Sequence, residues 1–113
     1  NFALLPVLAA ALEYVVEARP ERIRDYCDRL TESLLDRARA LGFGVEDDAH
    51  RARHLFGLRM PDGLDLHRLR DLLSARRIHV SLRGSALRVS PNVYNDEADV
   101  AALATALEAA VGA

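Results

Sequence analysis

The stretch IHVSLRGSALRVS, residues 78–90, contains two short runs in which apolar and polar residues alternate. Alternation with a period of two is typical of a strand with one buried face, and RGSA between the runs holds the glycine of a tight turn. We therefore predict a β-hairpin whose two faces differ, since successive side chains of a strand point to opposite sides. The apolar face carries Ile78, Val80, Leu82, Leu87 and Val89, and the polar face carries His79, Ser81, Arg83, Arg88 and Ser90.

Helices and further strands surround this hairpin. The predicted helices span residues 2–18, 20–42, 65–77 and 96–111, and further strands lie near residues 44–46 and 53–60. Pro20 opens the second helix and Gly42 ends it. The order α, α, β, β, α, β, β, α predicts an α+β fold, in which a small and mainly antiparallel sheet carries helices on one face and is preceded by two helices.

Two of these helices carry apolar stripes that can cover the apolar face of the hairpin. The stripes consist of Leu66, Leu69, Leu72 and Leu73 in one helix and of Val100, Leu103, Leu107 and Val111 in the other. We therefore expect the opposite face of the sheet, with Arg88, to stay open.

Composition limits the class of protein. With 113 residues, half of them hydrophobic, the chain suits one domain over residues 1–113. A net charge of −2 gives no basic excess for nucleic acid or an anionic membrane. The single cysteine forms no disulfide within the chain, and no apolar run reaches the roughly 20 residues of a membrane helix. We expect a cytoplasmic protein, and the histidines show no metal-ligand spacing, so no metal site is predicted.

The basic residues are unusual because all 15 are arginine, so the chain offers no lysine for a Schiff base. The sequence also begins at Asn1, without a methionine, and enters a helical pattern almost at once. We interpret this as a piece of a longer protein.

The segment LRVSPNVYNDEADVAALATAL, residues 87–107, resembles the C-terminal signature of the class-V aminotransferases, pyridoxal-phosphate-dependent enzymes of fold type I. Residues 1–42 resemble the helical connection between the large and small domains of these enzymes, which leaves residues 43–113 as the sheet-and-helix core. The resemblance implies that the chain is the C-terminal small domain of a larger enzyme that forms a homodimer and acts on an amino acid.

For Arg88 the resemblance implies a contact with the α-carboxylate of the substrate, which a planar guanidinium can bind through two parallel hydrogen bonds. Arg83, His79 and Ser85 lie on or beside the same hairpin and are further candidates for substrate binding. An ordinary solvated arginine remains the alternative for Arg88.

Other residues of the signature have expected structural roles. Tyr94 should pack beneath the strand, and Asn95 or Asp96 should cap the last helix. Cys27 lies on the apolar stripe of the second helix and is interpreted as inert packing.

The resemblance places the Schiff-base lysine and the cofactor contacts in the large domain. The chain alone is therefore expected to hold no catalytic residue, to bind no pyridoxal phosphate and to be inactive. The RGSA connection has a serine where the cysteine desulfurase branch carries a thiol, so we do not expect a desulfurase as the parent. Aminotransferase, epimerase and lyase branches stay open. A free-standing small metabolite-binding or regulatory module is the alternative.

Overall fold

The computed structural model of the chain describes residues 2–112 and contains four α-helices and one antiparallel sheet within them. After a short 3-10 turn at Phe2–Leu4, the elements are α1 (Leu5–Ala18), α2 (Pro20–Ala40), β1 (Gly44–Val45), β2 (Phe56–Arg59), α3 (Leu66–Ala75), β3 (Ser81–Arg83), β4 (Ala86–Val89) and α4 (Glu97–Gly112). The strands lie in the order β1-β2-β4-β3. The α+β class and the antiparallel sheet predicted from the sequence are confirmed.

Strand β4 lies inside the sheet and pairs with β2 on one side and with β3 on the other. Leu87 faces Leu58 of β2 and Leu82 of β3, while Arg88 is opposite Gly57 and Ser81. The β3–β4 connection is the two-residue loop that the sequence predicted. Its first residue, Gly84, has a φ of 57°, a left-handed conformation that glycine adopts without steric cost.

The apolar face of the sheet packs against α2, α3 and α4. One core joins the three helices to β2 and β4, and its most fully buried leucines are Leu34, Leu58, Leu69, Leu87 and Leu107. Alanines at 104, 106 and 110 are buried on α4, and such small side chains allow its backbone to approach its neighbours closely. The helices therefore cover the predicted face, although Val111 is exposed rather than part of the stripe.

Side-chain caps begin two of these helices. Asp65 accepts hydrogen bonds from the backbone N–H groups of His67 and Arg68 at 2.9 and 3.4 Å and so caps α3. At α4, Asp96 and Asp99 each accept a hydrogen bond from the other's backbone N–H, at 3.0 and 3.2 Å. This reciprocal pair is a capping box, with an aspartate in place of the usual glutamate, and it confirms the predicted cap at Asp96.

The predicted strand over residues 78–83 is shorter in the structure and begins only at Ser81. The preceding residues are still engaged with α3, because the N–H of Ile78 donates to the carbonyl oxygen of Leu73 at 2.9 Å. Ile78 and Val80 are nevertheless half-buried against the core.

Helices α2 and α3 end in the same way. Phe43 donates to Ala38 at the end of α2 just as Ile78 donates to Leu73 at the end of α3, which is the Schellman arrangement. The left-handed position of this motif is Gly42 in α2, with a φ of 92°, but Arg77 in α3, with a φ of 57°. An arginine in this conformation carries steric strain that a glycine avoids.

We predict that Arg77→Gly stabilises the chain. Relief of the left-handed strain, roughly 1–2 kcal/mol, should exceed the entropic cost of the glycine and leave a gain of roughly 0.5–1 kcal/mol in the free energy of unfolding. Chemical denaturation measures it. Gly42→Ala, at the matched position of α2, should destabilise the chain, and a loss of stability in Arg77→Gly would contradict the interpretation.

Helix α1 projects from the rest of the molecule. None of its residues is buried, and Leu4, Leu5, Leu8 and Leu12 are more than half exposed. The Cα radius of gyration is 15.8 Å, against about 13 Å for a compact chain of this length. Arg19, the only residue between α1 and α2, has a positive φ of 61° and turns the chain away from a continuous helix. Helix α1 therefore presents an apolar surface to solvent.

Such a surface should make the isolated chain self-associate. We expect sedimentation velocity to show concentration-dependent dimers that the double substitution Leu8→Glu and Leu12→Glu abolishes. The double substitution Ala101→Glu and Thr105→Glu, which places the same two charges at exposed positions of α4, should leave the association intact. A strictly monomeric unmodified chain at high concentration would count against this role of α1.

Within residues 2–112, none of the helices combines the length and the apolar character that crossing a membrane would require.

Candidate functional site

The face of the sheet opposite the helices is open, and Arg88 lies near its middle. Its neighbours Leu87 and Val89 are buried on the helix side, so the alternation of the strand directs Arg88 to the open side. The residues opposite it on β2 and β3 are Gly57 and Ser81. Arg88 is half-buried as a residue, and a glycine and a serine beside it leave an approach to it from the open side.

Two more arginines share this face. Arg59 of β2 and Arg83 of β3 both lie opposite Ala86, one on each side of β4. Each is therefore a diagonal neighbour of Arg88, at a Cα separation of roughly 7–8 Å. Sequence reasoning included Arg83 but missed Arg59, although the alternation Phe56, Gly57, Leu58, Arg59 carries the signal.

The three arginines differ in their partners. Arg59 lies 3.7 Å from the carboxylate of Glu46, and its guanidinium lies so close over Gly44 that a Cβ there would be 2.8 Å from Nε. Glycine at position 44 thus makes room for this arrangement. Across residues 2–112, the guanidinium groups of Arg83 and Arg88 have neither a hydrogen bond nor an ion pair.

The other two candidates lie at opposite ends of the hairpin. His79 is exposed in the segment before β3, beside Ile78 and Val80 and outside the strand itself. Ser85 is exposed in the turn, and its carbonyl oxygen accepts a hydrogen bond from the N–H of Met60 at 2.9 Å. The structure therefore brings Arg83 together with Arg88 on the sheet surface and leaves His79 and Ser85 at its margins.

Helix α2 holds the segment that follows β4. The hydroxyl of Tyr26 donates to the carbonyl oxygen of Asn95, and the thiol of Cys27 donates to that of Pro91 at 3.7 Å. Cys27 is fully buried, and burial raises the pKa of its thiol, which agrees with a packing role. These contacts fix the direction that the chain takes after β4.

The prediction that Tyr94 packs beneath the strand is wrong. Tyr94 is 78% exposed, because the backbone of residues 91–95 is bound to α2 and turns the ring outward. Tyr94 and Ser90 separate two grooves. One, of about 530 Å³, extends to His79 and Asp99, and the other, of about 700 Å³, extends to His54, Leu55 and the end of α1.

A buried arginine that sequence reasoning also missed lies behind the second groove. The side chain of Arg51 is only 3% exposed and lies over the ring of Phe56, 5.6 Å from its centroid. Its Nη2 donates to Asp48 at 2.9 Å, and Arg53 beside it is 3.3 Å from Asp28. The pair between Arg53 and Asp28 links the 46–55 connection to α2.

The cluster depends on an ionised Asp48. The hydrogen bond from Arg51 is the largest effect that lowers the pKa of this carboxyl; desolvation opposes it, and the positive charges of Arg51, Arg53 and Arg39 add to the lowering. A carboxyl whose pKa is lower in the folded state stabilises the fold above its unfolded pKa, about 3.9, and loses that contribution as the pH falls through the folded value.

We expect Asp48→Asn to lower the stability at neutral pH and to flatten the fall in stability as the pH drops below about 4. Denaturant unfolding across this range measures the effect. Asp62→Asn, in the exposed turn before α3, is the control and should behave like the unmodified chain. Parallel pH profiles for Asp48→Asn and the unmodified chain would refute the dependence.

No three histidine, cysteine or acidic side chains of the described chain are placed to hold a metal ion.

Comparison with known proteins identifies the fold. No protein-family model matches the sequence, and no curated protein matches it significantly. The structure is similar to the crystal structure of alanine–glyoxylate aminotransferase from Nostoc sp., with a TM-score of 0.70 and 24% sequence identity. The match covers 90% of this chain and 29% of that chain, so this chain spans less than a third of that aminotransferase. The resemblance to aminotransferases is confirmed at the level of the fold.

Proposed function

We propose that this chain is the C-terminal small domain of a pyridoxal-phosphate-dependent, class-V aminotransferase-like enzyme, and that Arg88 binds the α-carboxylate of its amino-acid substrate. The observation that carries the proposal is the position of Arg88. It is half-buried on the open face of a sheet whose architecture is similar to that of an aminotransferase, and its guanidinium has no partner among residues 2–112.

The surroundings of Arg88 suit the binding of a carboxylate. Leu87 and Val89 anchor the strand on both sides, so the base of the arginine is fixed by the core. Gly57 and Ser81 leave an approach from the open side, and a guanidinium can bind both carboxylate oxygens through parallel N–H donors. Two such bonds fix the plane of the carboxylate and hence the orientation of the carbon next to it.

The 113 residues do not fit pyridoxal phosphate by themselves. The sequence contains no lysine, so the imine that these enzymes form between the cofactor and a lysine has no partner in this chain. When bound in such an enzyme, the cofactor supplies the electron sink for chemistry at the amino acid. We assign the cofactor-binding residues to a part of the polypeptide outside this sequence. Aminotransferase, epimerase and lyase reactions are all compatible with this assignment.

The exposure of α1 supports a larger enzyme over a free-standing module. A fourteen-residue helix with no buried side chain gains little from packing and leaves a large apolar surface in water. We propose that the remainder of the enzyme covers this helix, since over two thirds of the similar aminotransferase lies outside the matched region. The homodimer expected for such enzymes belongs to the same proposal.

The test of Arg88 uses the complete polypeptide that carries these residues, prepared with pyridoxal phosphate. Removal of one partner from a buried charge pair costs roughly 2–5 kcal/mol, so Arg88→Gln should lower kcat/KM for the amino acid by roughly tens-fold to thousands-fold. Arg88→Lys should also lose much of the activity, because an ammonium does not reproduce the bidentate contact.

Thermal unfolding of the same variants provides the control, because an outward-facing arginine contributes little to the core. The melting temperatures should stay close to that of the unmodified enzyme. Turnover near the original value in Arg88→Gln, or a loss of stability large enough to explain the loss of turnover, would show that Arg88 is an ordinary structural residue.

A further inference from the structure

The open face of the sheet carries more positive charge than one carboxylate requires. Arg59, Arg83 and Arg88 lie on it within two rows of residues. Within the described part of the chain, Arg59 alone of the three has a carboxylate partner, Glu46. The whole chain, in contrast, has a net charge of −2. The combined positive charge of these arginines attracts an anion placed between them.

Of the two additional arginines, only Arg83 is free to bind an anion together with Arg88. Arg59 leans over Gly44, away from β4, and is paired with Glu46. Arg83 is exposed at the end of β3, and its guanidinium, like that of Arg88, has no partner within residues 2–112. The free pair is therefore Arg83 and Arg88, which are diagonal neighbours on one face.

The residues around these two arginines have small side chains. Ser81 and Ala86 occupy the other two corners of the same four-residue patch, and Gly57 lies on the far side of Arg88. A Cβ added at Gly57 would meet only the Cβ of Ala86, at 3.8 Å, so open space lies above the backbone there. A small ligand can thus lie on the sheet between the two guanidinium groups.

We propose that Arg83 binds a second acidic group of the substrate and that the substrate class is amino acids with a carboxylate on the side chain. The inference rests on the proposed function, because Arg88 must hold the first carboxylate. The diagonal separation of Arg83 and Arg88 then selects for the distance between the two acidic groups, and an amino acid with an uncharged side chain lacks the second contact.

The experiment titrates the isotope-labelled 113-residue chain with glutarate and with butyrate and follows the arginine Nε–H and backbone amide NMR signals. Glutarate carries two carboxylates and butyrate carries one on a chain of similar size. Because Arg83 is exposed to solvent, the second contact should strengthen glutarate binding about two- to fivefold. Arg83→Gln should remove this preference and leave the affinity for butyrate unchanged.

Arg59→Gln is the matched control, since Arg59 lies on the same face and flanks the same alanine as Arg83. It should keep the preference for glutarate. An equal loss in Arg59→Gln and Arg83→Gln would indicate a general effect of charge and would overturn the proposal, as would a preference that survives Arg83→Gln. Arg88→Gln should weaken both ligands. If butyrate binds Arg88→Gln as well as the unmodified chain, the role proposed for Arg88 fails instead.

Discussion

The burial of Leu87 and Val89 is the constraint on which the arrangement of this molecule depends. Both side chains enter the core beneath α2, α3 and α4, and Leu87 is fully inaccessible to solvent. A strand that is fixed in this way has no freedom to rotate about its axis. Arg88 is therefore directed outward by the free energy of apolar burial on either side of it, and no polar contact is needed to hold its base in place.

The same constraint extends to both neighbours of β4. The inward leucines of β2 and β3, Leu58 and Leu82, flank Leu87, so the three strands present their polar residues on one common face. The segment after β4 is fixed by a different means, since Tyr26 and Cys27 of α2 bind carbonyl oxygens of its backbone. Apolar packing thus sets the orientation of the hairpin, and hydrogen bonds set the path by which the chain leaves it.

Local patterns in the sequence predicted most of this fold because the forces involved are local. Alternation predicted the hairpin and its two faces, helical spacing predicted the helices, and the pair Asn95 and Asp96 predicted the cap of α4. Strand β3 was predicted to begin at residue 78 but begins at Ser81, because the N–H of Ile78 is hydrogen-bonded to the end of α3. Tyr94 was misplaced because its exposure follows from contacts made by Asn95 and Pro91 with a distant helix.

The candidate site was predictable only in part, for a similar reason. Arg88 and Arg83 follow from alternation within one hairpin, but the role of Arg59 depends on the pairing between β1 and β2, which brings Gly44 beneath its guanidinium. The burial of Arg51 depends likewise on Phe56 and on two aspartates far apart in the chain. Register between strands and the pairing of distant charges are tertiary properties, and no short segment encodes them.

The two-residue loop between β3 and β4 has a consequence for how this sequence can diverge. Loops are ordinarily the places where chains gain and lose residues during evolution. Here a single inserted residue that shifted β3 against β4 would turn Leu82 outward and bring Arg83 into the core. Changes of length should therefore be rare between Arg83 and Ala86 and more frequent in the surface turn around Asp62, which joins β2 to α3 without fixing the register of any strand pair.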